Sequence, residues 1–378
     1  MSAATISGLE WLRTGREIFP AMIAAIGAAQ KSIVLESYTY SDDKLGREFL
    51  LALVAAAKRG VKVRVLVDAM GSWLLPETFF LPLAAEGGEA RWFNPLRLWR
   101  FGVRNHRKLL ICDGETVFVG GFNISAEYNG DGVTSGWCDL GARVVNAEVA
   151  RLLDISFEHL YKLADFRRKP LLRFRLFKRK RKGTISGNVL ATYPGRGASH
   201  FQMALYRDLA TARDVRIVMA YFLPKRRLLR LLVRVAKRGG RVQLVLPAKT
   251  DVPVSQLAAR SLYRRLLKRG LEIYEYQPQI LHTKLIICDG CSYVGSSNLD
   301  VRSLDLNYEV MLRVPDAEQS AEAGRIFDGY LEHCQKIELA DWLKAQSLWG
   351  RLKFRWAYFL LSRIDPVVAL RQFRMLRG

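Results

Sequence analysis

Apolar and polar residues alternate along this chain in a series of short segments that is spelled out twice. Residues 21–29 form an apolar run of helical length, and residues 32–40 are a β-branched and aromatic run suited to a strand. Residues 45–59 carry apolar positions at helical period, Gly60 breaks the pattern, and residues 61–67 read as a second strand ending at Asp68. The second half repeats the series, with a strand over 215–221, a helix over 228–237, a turn at Arg238-Gly239-Gly240 and a strand over 242–246. Strands alternating with helices predict an α/β fold with parallel or mixed sheets.

A strand-turn-strand unit over 108–121 is mirrored over 284–296, each with Cys-Asp-Gly at its turn. His106 and His282, Lys108 and Lys284, and Asp113 and Asp289 each stand 176 residues apart. Leu163-Ala164-Asp165 recurs as Leu339-Ala340-Asp341 at the same interval. Self-similarity at so long a period implies a duplicated domain rather than a solenoid. The expected division is an N-terminal lobe over 1–166, a basic linker over 167–187, a C-terminal lobe over 188–345 and a basic, aromatic tail over 346–378.

Composition narrows the class. With 378 residues, 50% of them hydrophobic, the chain can bury two cores and is not a disordered polyelectrolyte. Its 59 Lys and Arg against 36 Asp and Glu give a net charge of +23, a field that draws polyanions such as nucleic acid or anionic lipid. The five cysteines are an odd number without zinc-type spacing, and are expected to be reduced. The longest uncharged apolar stretch, residues 18–30, is too short to span a bilayer and follows an acidic residue rather than a basic leader. A cytoplasmic chain with peripheral membrane contact is therefore expected.

The chemistry lies in the repeated unit. A strand period of two places His106 and Lys108 on one face, and His282 and Lys284 on another. Each pair is followed by Asp113 or Asp289, then by Gly120-Gly121-Phe122-Asn123 or Gly295-Ser296-Ser297-Asn298. Only five histidines occur in the chain, so two in matched frames argue for a retained reaction. The first Asp-to-Gly interval is one residue longer, so the second turn is expected to be tighter. Two imidazoles can divide nucleophilic attack and proton transfer, while lysines and asparagines neutralise phosphate charge; no cofactor and no metal are called for.

These motifs resemble the HKD signatures of the phospholipase D superfamily, and the duplication is similar to its single-chain, two-lobed members. Glu36-Ser37-Tyr38 and Arg59-Gly60-Val61-Lys62-Val63 extend the likeness. The resemblance implies two pseudo-symmetric α-β-α sandwich lobes. It also implies that His106 becomes a phosphohistidine while His282 protonates the leaving group, although the reverse assignment stays open. Asp139 and Glu309 would each orient the histidine of the opposite lobe. The candidate set is thus His106, Lys108, Asp113, Asn123, Asp139, His282, Lys284, Asp289, Asn298 and Glu309, with Asp113 and Asp289 expected to fix turns.

Flanking segments point to a lipid substrate. The apolar residues 72–82 follow a strand, where α/β sheets line their ligand crevices, and suit an acyl chain or a buried helix cap. In the tail, Trp349, Leu352, Trp356, Phe359 and Leu360 stand at helical spacing beside Arg351, Lys353 and Arg355. Such a helix suits an anionic lipid interface or docks on the protein itself. The basic residues 167–182 would attract phosphate from lipid or nucleic acid, or act as a solvated linker. The resemblance with these features implies a cardiolipin synthase-like phosphatidyltransferase bound peripherally at the inner membrane face. A hydrolytic phospholipase D and a nucleic-acid phosphodiesterase are the alternatives. Nothing in the pattern sets an oligomeric state.

Overall fold

A computed structural model describes residues 6, 8–95, 102–164, 188–195, 197–346 and 348–361. The proposed linker and the last part of the tail lie outside these residues. The N-terminal lobe runs β1 (Leu9–Leu12), α1 (Gly15–Ala28), β2 (Ser32–Ser37), α2 (Lys44–Lys58), β3 (Lys62–Asp68), α3 (Leu81–Ala85), β4 (Glu89–Phe93), β5 (Leu109–Cys112), β6 (Thr116–Gly120), β7 (Gly141–Val145) and α4 (Ala147–Leu163). The C-terminal lobe runs β8 (Val189–Thr192), α5 (His200–Thr211), β9 (Asp214–Met219), α6 (Arg226–Lys237), β10 (Arg241–Pro247), α7 (Pro253–Leu267), β11 (Glu272–Tyr276), β12 (Lys284–Cys288), β13 (Cys291–Gly295), α8 (Val301–Asp305), β14 (Glu309–Val314), α9 (Ala317–Leu331) and β15 (Cys334–Lys336). Helices α10 (Leu339–Ala345) and α11 (Leu348–Phe359) follow.

The two sheets have one topology. The first is ordered β1-β7-β6-β5-β2-β3-β4, and the second, taken from its other edge, β8-β14-β13-β12-β9-β10-β11, with β15 added outside β11. In both, three neighbouring strands run parallel and the hairpin carrying the repeated motif pairs antiparallel beside them. The duplication read from the chain is therefore a duplication of fold.

Local chemistry explains where elements begin and end. Helix α1 starts at Gly15, earlier than the apolar run suggested, because the Thr14 side chain accepts the Glu17 N–H and caps it. Asp43 and Asp316 cap α2 and α9 in the same way. Strand β2 stops at Ser37, short of residue 40, because side chains replace its ladder: Thr39 N–H donates to Asn123 Oδ1 and Tyr40 N–H to Ser72 Oγ. The second motif hairpin is the tighter one, closing Cys288 on Cys291 where the first closes Cys112 on Thr116.

Alternation along the motif strands sets the packing. Leu109 and Ile111 join one core, while Leu110 and Cys112 join another on the opposite face of the sheet. In β12, Leu285 and Ile287 enter the same core as Leu109, while Ile286 and Cys288 face outward beneath α5, α6 and α7. That shared core also takes Leu153 and Phe157 of α4 and Ala323 and Phe327 of α9, all fully buried. The lobes are thus welded by one apolar cluster. Cys112, Cys138, Cys288 and Cys291 are buried and free, and Cys334 is free and half-buried.

Candidate active site

Each histidine is held by backbone from the other lobe. His106 N–H donates to Tyr308 O at 3.0 Å, while Tyr308 N–H donates to Arg104 O at 2.9 Å. In mirror image, His282 N–H donates to Cys138 O at 2.7 Å, and Cys138 N–H to Ile280 O at 2.9 Å. These two short parallel bridges place Glu309 and Asp139, the next residues along, against the imidazoles. His106 Nδ1 lies 3.0 and 3.1 Å from the two Glu309 oxygens, and His282 Nδ1 lies 2.6 Å from Asp139 Oδ2.

A buried clamp aims His106. Arg104 pairs with Asp68 at 3.2 Å, and Asp68 Oδ2 accepts the Asn105 N–H at 2.8 Å. Asn105 Nδ2 donates to Glu36 at 2.9 Å, and Glu36 pairs with Arg107 at 3.0 Å. Removing four charges from water is tolerated here because each finds a partner. The imidazole also meets the Tyr38 ring edge-on at 4.8 Å. His282 is boxed by Tyr128, Trp137 and Tyr221, with ring centroids 5.3, 5.6 and 6.5 Å away. Tyr221 donates in turn to Asp251 at 2.7 Å.

The lysines face the same space. Lys108 Nζ donates to His106 O at 2.8 Å and sits 5.2 Å from the centre of the Tyr38 ring. Lys284 Nζ lies 2.6 and 3.0 Å from the two ring nitrogens of His282. Burial, reinforced by Lys108 and by Lys284 of the opposite lobe, holds His106 well below its ordinary pKa. Burial and then Lys284 take His282 down to about 4. Burial also pulls Lys284 down to about 8 and pushes Glu309 up to about 8. Charges on each lobe influence the histidine of the other, so the half-sites behave as one electrostatic unit.

The remaining motif residues divide differently. Asn123 is spent on the fold, accepting from Thr39 and donating to Tyr128 OH at 2.8 Å, whereas Asn298 Oδ1 is buried with no hydrogen-bond partner among the described residues. Ser296 Oγ donates to Glu309 Oε2 at 2.5 Å. Its counterpart Gly121 has no side chain because the Asp139 carboxylate fills that space. Asp113 and Asp289 stand at the far ends of their hairpins, roughly 20 Å along the strand from the imidazoles. Both adopt left-handed φ, at 55° and 50°, and accept backbone N–H groups: Asp113 from Gln30, Lys31 and Ser32, Asp289 from Arg213 and Asp214. They hold turns and do not touch the histidines.

Sequence reasoning left out Asp68, Arg104, Asn105, Tyr128, Trp137 and Tyr221 as site residues. Asp68 and Tyr221 were visible as strand ends. The others carry no periodic signal, since their roles depend on contacts between distant segments.

A duplicated phospholipase D-like fold with paired His-Lys half-sites is the class these features define. The family model described as "Cardiolipin synthase, PLD-like domain" matches residues 22–161 and 206–331, and the chain belongs to this family. It is 31% identical over 369 residues to cardiolipin synthase B of Escherichia coli (strain K12), covering 95% of this chain and 89% of that protein. It is 30% identical to a probable cardiolipin synthase of Bacillus subtilis (strain 168), covering 91% and 70%. Phosphatidylserine synthase of Haemophilus influenzae shares the fold with a TM-score of 0.72 at 16% identity, over 97% of this chain and 96% of that one.

Proposed function

We propose that this enzyme is a phosphatidyltransferase that moves a phosphatidyl group from phosphatidylglycerol or a related phospholipid to the hydroxyl of a second lipid. The observation that carries the reading is the inequality of the two histidine–carboxylate pairs. His282 has the shorter contact to Asp139, a charge-assisted bond that opposes the burial and the Lys284 charge holding its pKa at about 4, and the charge of a bound phosphodiester shifts it further toward imidazolium. His106 faces Glu309, whose carboxyl is raised to about 8 by burial and so offers little negative charge near neutrality. A neutral imidazole is the nucleophile and a charged one the acid. His106 Nε2 therefore attacks phosphorus and forms the P–N bond, as the P–O bond to the leaving glycerol breaks and its oxygen takes a proton from His282. An acceptor hydroxyl then gives its proton to neutral His282, and its oxygen displaces His106.

Lys108 and Lys284 neutralise the non-bridging oxygens, and the phosphate charge in turn raises the affinity of His282 for its proton. The aromatic box and the burial of both rings disfavour water as acceptor, so transfer outruns hydrolysis. Among the described residues no helix is long and apolar enough to cross a membrane. Attachment at the inner membrane face is peripheral in this reading, driven by the excess of basic residues. The test is purified enzyme with labelled phosphatidylglycerol vesicles. Cardiolipin should form, and the label should be trapped on His106; absence of both cardiolipin and phosphatidic acid refutes the substrate class.

A further inference from the structure

Two groups of large apolar side chains stand in water, one beside each half-site. After β3, Trp73, Leu74 and Leu81 are 69%, 75% and 60% exposed, whereas Leu75 and Phe80 between them are buried. This loop is anchored: Ser72 Oγ donates to Tyr38 O and accepts from Tyr40 N–H, and Tyr38 is the ring that touches His106. On the other lobe, Ala357 and Tyr358 of α11 pack on Leu223, Val254 and Ala258, and Phe354 stacks on Trp342. That docking buries one face of the helix and leaves Trp349, Trp356 and Phe359 at 74%, 63% and 49% exposure. Leu223 lies two residues beyond Tyr221, which borders His282.

We propose that these two aromatic groups form a split rim that seats the mouth of the site on a bilayer rich in anionic phospholipid. Charge selects this occupant over an apolar protein surface. Lys353 and Arg355 are exposed on α11 itself, and Arg226, Arg227 and Arg230 are exposed on α6, which starts just past Leu223. Tryptophan with basic side chains beside it matches the boundary between acyl chains and acidic head groups. Both half-sites then face lipid, and a phosphodiester reaches the histidines with its acyl chains still in the membrane. The proposal builds on the phospholipid reading, but its binding test is independent of turnover.

The full chain should be compared with two variants, Trp73→Ser with Leu74→Ser and Trp356→Ser with Phe359→Ser, by flotation with phosphatidylglycerol–phosphatidylcholine vesicles. Each variant should bind roughly tenfold more weakly, scaling with the apolar area withdrawn from the bilayer. Both should keep the wild-type melting temperature and wild-type turnover of a monomeric short-chain donor. Brominated acyl chains should quench wild-type tryptophan emission. Unchanged vesicle binding overturns the proposal, as does a lowered melting temperature, which means that these side chains are packed within the protein itself. Should wild-type enzyme turn over no phospholipid, the reaction proposed above fails while vesicle binding still decides this one.

Discussion

Replacing Asp139 by Asn tests the division of labour between the histidines. The substitution keeps the side-chain shape but removes the charge beside His282 Nδ1, across a contact of 2.6 Å in which Asp139 is fully buried. A hydrogen bond to a charged group contributes about 1.5–3 kcal/mol. Losing it from the state in which His282 carries a proton predicts a rate loss of about 10- to 150-fold. The informative assay compares two donors. The glycerol of phosphatidylglycerol leaves as an alkoxide and needs the proton, whereas a p-nitrophenyl phosphodiester releases a stable phenolate that does not. Rapid-quench measurement of the first turnover should show Asp139→Asn slow with the former and near wild type with the latter. Equal losses for Asp139→Asn on the two donors refute His282 as the general acid of the first step.

Other consequences follow from the same contacts. Turnover should fall as pH rises through about 8, where Lys284 loses its proton, and Glu309→Gln should keep that alkaline limb if the lysine carries it. Glu309 has a folded pKa of about 8, above its ordinary value near 4.5, so the folded chain binds the extra proton between those values. Its stabilising contribution is full below about 4.5 and is lost as pH rises through about 8; melting curves should show a shallower decline over that window in Glu309→Gln. Asp68→Ala removes the carboxylate that balances the buried Arg104 guanidinium, and should cost about 3–5 kcal/mol in urea unfolding. Gly121→Ala puts a methyl group into the Asp139 carboxylate, and should reproduce the Asp139→Asn donor pattern in the rapid-quench assay.

Much of this architecture was legible in the chain because it is periodic. The unbroken apolar runs over 109–112 and 285–288 prescribe strands buried on both faces, and the 176-residue offset prescribes two like lobes. The His-Lys pairs could be found because they recur. What could not be found is whatever exists only after the lobes meet. Tyr308 is an ordinary aromatic in sequence, yet its carbonyl positions His106 from 202 residues away. Asn123 has the motif's spacing but bonds Thr39 and Tyr128, because β2 ends with an unmet N–H that a nearby amide oxygen satisfies. Residues 72–82 were open between an acyl-chain lining and a helix cap. The structure divides them, with Leu75 and Phe80 as cap and Trp73 and Leu74 outside.

The apolar cluster shared by α4, α9 and the inner faces of both sheets limits how a substrate arrives. Two jaws joined through that cluster resist gaping to admit a molecule with long greasy tails from the side. Only the polar end of such a molecule then has to enter the cleft, so selectivity would be exercised on what hangs from the phosphate and hardly at all on tail length or saturation.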